Sequence, residues 1–159
     1  MNHLIKTNSL PTRSKLHVYC IKINYCDSYA ISYNKELQIE DITYKIFTTP
    51  SWVDVLLKIR DFIVKPFGLQ TSDKMFEKNQ NEANDLNKKL PFPLVEVTDN
   101  EIVMHENDKH LKFWVSVMLS ENMVYLTTVV QYNNVWGKLY FAFVKPFHVL
   151  IIRSIMKKI

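Results

Sequence analysis

Near the C-terminus one pattern limits what the rest of the chain can build. Apolar side chains recur at every fourth position, Val135, Leu139, Phe143, Phe147, Ile151, Ile155 and Ile159, with Trp136, Tyr140 and Val144 beside them. That spacing belongs to an α-helix. Lys138, Lys145, Arg153 and Lys157 make a narrow polar strip opposite, so the apolar arc takes up half the circumference or more. A helix of this kind needs cover from more than one element, and the upstream chain must supply it. Pro146 removes a backbone donor from the helix, which predicts a kink at the bond to the Ala142 carbonyl.

The cover is legible as strands. Residues 92–98, 101–106, 109–119 and 123–132 are apolar runs separated by the turns Asp99-Asn100, Asn107-Asp108 and Glu121-Asn122. They predict an antiparallel meander. In the third run Leu111, Phe113, Val115, Val117 and Leu119 share one face, committed to the core. Trp114 and Met118, with Tyr125 and Val129 of the fourth run, fall on the outer face. A patch of that size is covered either by the N-terminal arm or by a second copy in a homodimer.

Residues 1–16 read as a loose arm. Leu16 to Ile31 reads as strand material interrupted by Asp27-Ser28, and Leu37 to Phe47 as a helix. A second helix is expected over Trp52–Lys65, with Thr49 as cap and Pro50 in the first turn. Its charges, Asp54, Lys58, Asp61 and Lys65, lie on one narrow face. Arg60 departs from that face and projects among apolar residues, where it serves either a structural ion pair or the polar anchor of a ligand cavity. Residues 70–90 turn abruptly polar and form an exposed flap or linker.

Composition removes several function classes. Gly68 and Gly137 are the only glycines, so no Gly-rich phosphate loop can be built. The net charge of +4 is scattered, without the concentrated basic stripe of a nucleic-acid groove. Cys20 and Cys26 form neither a CxxC pair nor a zinc set, and read as thiols of a reducing compartment. The run Leu139–Ile152 is shorter than the about 20 apolar residues a membrane span needs, which gives a soluble, cytoplasmic expectation with no transmembrane segment.

The order of strand, two helices, antiparallel meander and long C-terminal helix resembles the helix-grip arrangement of START-like, birch-allergen-like proteins. Particular stretches sharpen the resemblance: Asn24-Tyr25-Cys26-Asp27-Ser28-Tyr29, Pro50-Ser51-Trp52-Val53, Phe67-Gly68-Leu69, Asp108-Lys109-His110-Leu111, Thr127-Thr128-Val129-Val130, and Gly137-Lys138-Leu139-Tyr140 followed by Lys145-Pro146-Phe147-His148. In order, they resemble the bacterial domain-of-unknown-function family 2867, grouped with START-like ligand-binding domains. The resemblance implies an α+β helix-grip fold, with an antiparallel sheet of about five to six strands wrapped around the C-terminal helix and two helices after the first strand. Residues 17–159 would be one START-like domain. The resemblance also implies a cavity for a small hydrophobic or amphipathic molecule, and carries over no catalytic residue and no cofactor.

Candidate pocket residues follow from the residue types. Arg60, His148 and His110 are the polar candidates, and Trp52, Phe113, Tyr140, Phe143 and Phe147 the walls. His110 is either structural, bonded to Asp27 or a backbone carbonyl, or an acid–base group; His148 is either structural or faces the cavity. His105 and His110 flank a turn, a spacing that makes only a weak metal pair, and no metal is expected. A binding protein is the first reading. An enzyme of cyclase, dehydratase or hydrolase type is the alternative, with a dimeric interaction module or a peripheral membrane contact through the basic, apolar C-terminus as the third.

Overall fold

The computed structural model describes residues 3–33, 37–48 and 90–159, together with Lys58, Asp61 and Lys65. Apart from those three, the helix expected over 52–65, including Trp52 and Arg60, and the polar stretch 70–89 lie outside the described residues.

Six strands form one sheet: β1 (Ile5–Thr7), β2 (Tyr25–Ser32), β3 (Leu94–Val97), β4 (Glu101–Asn107), β5 (Leu111–Ser120) and β6 (Met123–Tyr132). Their order is β1-β2-β6-β5-β4-β3, with every neighbouring pair antiparallel. The helices described along their whole length are α1 (Leu16–Tyr19), α2 (Ile39–Phe47) and α3 (Val135–Met156). This is the α+β arrangement expected, with one difference near the start. The partial alternation His17–Ile23 is not strand: it holds the single turn α1, and β2 begins only at Tyr25. A short apolar run cannot be assigned to helix or strand by period alone.

The meander follows the alternation closely. Ser120 pairs with Met123 across the two-residue turn Glu121-Asn122, where both residues adopt positive φ, 53° and 63°. Two consecutive left-handed residues suit the right-handed twist of a tight hairpin. On one face Tyr29, Ile31, Ile102, Met104, Val115 and Leu126 pack against α2 and against Ile152, Ile155 and Met156 of α3. A smaller cluster, Leu111, Val130 and Phe141, closes the other end of the helix.

The outer face is covered from within the chain. Leu10, Leu16, Tyr19 and Cys20 pack on Val103, Trp114 and Val129. Trp114, Met118 and Val129 are buried, and Tyr125 is half-buried. Glu101, buried on that face, accepts hydrogen bonds from Ser14 Oγ at 2.6 Å, from the Lys15 backbone N–H at 2.7 Å, and from Ser116 Oγ. The stretch read as a loose arm therefore contributes the edge strand β1 and a segment pinned by a buried carboxylate.

The C-terminal helix forms as expected, starts at the cap Asn134 and runs on through Pro146. Its inward stripe differs from the expected one. Gly137, Phe141, Ile152, Ile155 and Met156 are buried and His148 is half-buried, whereas Val135 is 81% and Phe143 60% exposed. A helix apolar on most sides does not reveal by period which stripe faces in. Gly137 decides it here, because a Cβ at that position would overlap the His110 carbonyl oxygen. The absent side chain lets α3 press its first turn onto the β4–β5 turn. With 22 residues, α3 is long and apolar enough, by length and composition alone, to cross a membrane, a requirement that Leu139–Ile152 taken by itself does not meet. Its inward stripe packs on β2, β6 and α2.

Candidate functional site

Where α3 crosses β2, the two apolar clusters are separated by a polar break. Alternation along β2 turns Tyr25, Asp27 and Tyr29 to the same face, towards the helix. Asp27 is entirely buried. Its carboxylate accepts a hydrogen bond from Tyr25 Oη at 2.6 Å, and His148 Nε2 lies 3.2 Å from both oxygens. A carboxylate only accepts, so His148 carries its proton on Nε2, and the geometry holds with the imidazole neutral or charged. A buried carboxylate persists only when its charge is met by donors, and here Tyr25 and His148 provide them.

The surroundings are aromatic. The Phe141 ring lies 4.8 Å from Tyr25 and 6.4 Å from His148, centroid to centroid. Burial, then the bond to Asp27, pushes the Tyr25 phenol far above its ordinary range, so it remains a donor. Next along β2, the fully buried Tyr29 hydroxyl completes no hydrogen bond among the described residues. Burial raises its pKa first, the Asp27 charge adds to that, and Arg153 on α3 opposes it.

His110 does not belong to this group. Its Nδ1 donates to Asn134 Oδ1 at 3.2 Å, and the same oxygen caps α3 through the Gly137 N–H at 3.0 Å. Asn134 and His148 are separated by about 21 Å of helix at 1.5 Å per residue, so the two histidines occupy different ends of α3. The carboxylate considered for His110 is taken by His148 instead. His105 stacks on Trp114, 4.5 Å between centroids, and its Nδ1 donates to the Phe113 carbonyl. Among the described residues no cluster of three or more metal-ligating side chains occurs.

The expected walls scatter. Phe113 is half-buried between the two clusters, against Phe92 at 4.9 Å. Tyr140 is half-buried beside Phe141, and Phe147 is half-buried too, but Phe143 points into solvent. Trp52 and Arg60 lie outside the described residues. Neither thiol is poised for nucleophilic work: burial holds Cys20 at about 12 and Cys26 at about 11. Sequence reasoning passed over Tyr25, Asp27 and Tyr29 as a unit. The available signal was an acidic residue flanked at i±2 by tyrosines in a strand next to the core.

Two of the stretches that carry the family resemblance, Asn24–Tyr29 and Lys145–His148, thus supply the polar break. No curated protein and no solved structure matches the chain. A family model, described as a protein of unknown function (DUF2867), matches residues 21–155 of 159, and the chain belongs to that family.

Proposed function

We propose that this protein is a START-like binding protein that holds a small hydrophobic or amphipathic molecule between α3 and the sheet, with Tyr25, Asp27 and His148 as the polar anchor. The observation that carries the reading is Asp27: a wholly buried carboxylate met by two side chains between two apolar clusters under α3. A fold kept for stability alone gains little from a buried ionic group, because its desolvation offsets most of the attraction. Binding sites, in contrast, combine apolar walls with a few convergent polar groups. The Tyr29 hydroxyl beside the anchor, which completes no hydrogen bond among the described residues, supports the same reading.

The test is native mass spectrometry of freshly purified chain, followed by titration of the stripped protein with short-chain amphiphiles. A co-purified small molecule, or saturable binding that His148→Ala weakens, is expected. Binding of nothing in either format rejects the reading.

A second reading, acid–base turnover of the bound molecule, draws on the Asp27–His148 pair. A carboxylate that orients one imidazole nitrogen leaves the other to exchange protons. His148→Gln would then abolish turnover while binding survives; unchanged turnover in this variant excludes it.

A further inference from the structure

We infer that the polar end of the bound molecule is an anionic oxygen group, a carboxylate or phosphate, accepting a hydrogen bond from Tyr29 Oη. This rests on the binding reading above and adds the chemistry of the head group.

Three observations select an anion. Tyr29 is wholly buried, and its hydroxyl, although close enough to Asp27 and Arg153 to be acted on by both, completes a hydrogen bond to neither, so the site offers a donor that a ligand acceptor can complete. The neighbouring acceptor is already engaged, because Asp27 is met by Tyr25 and His148. A ligand donor such as an ammonium would have to displace one of those bonds, whereas a ligand acceptor displaces none.

Third, the charges around the two tyrosines are mostly positive. Lys145 Nζ stands 4.9 Å from the Tyr25 ring centroid, and Lys6 Nζ, from β1, stands 5.4 Å from that of Tyr29. Arg153 also acts on the Tyr29 oxygen as a positive charge. Lys6, Lys145 and Arg153 are exposed; the first comes from β1, the neighbour of β2, and the other two from α3. Among the described residues the acid that acts on Tyr29 is Asp27, which has its own donors. A hydrogen bond to an ionised acceptor is about twice as strong as a neutral one, and the surrounding cations favour the same outcome.

The experiment titrates the full chain, stripped of bound molecules, with octanoate, octyl phosphate, octanol and octylamine, followed by calorimetry. The expected result is saturable binding of octanoate or octyl phosphate at least about tenfold tighter than octanol, with octylamine weakest. The two anions compared with each other tell carboxylate from phosphate. Tyr29→Phe should remove the preference over octanol, and Lys145→Gln, at an exposed position, should reduce it without touching the fold. Octanol or octylamine binding as tightly as both anions overturns the inference while leaving the binding reading intact. If none of the four binds saturably, the binding reading falls and this inference with it.

Discussion

Asp27 and His148, 121 positions apart, meet at 3.2 Å where the long helix crosses the second strand. Neither is held there by its neighbours in sequence; each is held by the element that carries it. Removing one partner strands the other. His148→Ala leaves a buried carboxylate with Tyr25 as its remaining donor and should destabilise the fold by about 3 kcal/mol. Asp27→Asn in the same background should recover part of that loss. Urea unfolding of the two single variants and the double variant measures the coupling, and strictly additive losses would show that the pair does not interact.

Gly137 lies against the His110 carbonyl with no room for a side chain. The obstacle is backbone, which cannot rotate away. Gly137→Ala, although favourable for helix propensity, should therefore lower stability by about 1–3 kcal/mol. Thermal unfolding gives the sign directly, since propensity alone predicts a rise.

The arm is held on the outer face by Glu101, which collects donors from Ser14, Lys15 and Ser116. Glu101→Ala leaves three donors without their acceptor, at a cost of about 1–3 kcal/mol. The arm should loosen before the sheet does. Limited trypsin digestion at Arg13 and Lys15 should speed up in the variant while far-ultraviolet dichroism stays the same.

The Glu121-Asn122 turn holds two non-glycine residues at positive φ. Asn122→Gly removes a steric penalty at a position where glycine is at ease, and should stabilise by about 0.5–1 kcal/mol. Chemical denaturation reads this as a higher midpoint at unchanged slope.

Alkaline pH probes the two thiols, Cys20 buried and Cys26 half-buried. Cys20 and Cys26 rise from 9.0 to about 12 and about 11 on folding, chiefly through burial. The unfolded chain therefore loses these protons from about pH 9 while the folded one keeps them. Their contribution is whole below pH 9 and is lost as pH rises through 11 and 12. A thiol reagent at pH 8 should label Cys20 slowly in the folded chain and at once in the urea-unfolded chain; rapid labelling of Cys20 in the folded chain would contradict its burial.

Much of the sheet could be read from the sequence, because strand alternation is a two-way choice and the turns limit it. Val115 and Val117 face the core and Trp114 and Met118 the other side, as their spacing says. The one-turn helix at Leu16–Tyr19 could not be read in this way, since four residues show no period. The inward stripe of the last helix was equally hidden: Val135 and Phe143 are as apolar as Phe141 and Ile152, yet the first pair faces solvent.

The sequence by itself determined the strands of the meander, the hairpin at Glu121-Asn122 and the helical character of the C-terminal stretch, because period, turn chemistry and propensity act within a few residues. Only the tertiary structure decided which side of that helix meets the sheet, that Glu101 holds the arm, and that Asp27 finds His148 rather than His110. Those pairings depend on close approach and on which buried charge can reach a donor, and both are properties of elements brought together from distant parts of the chain.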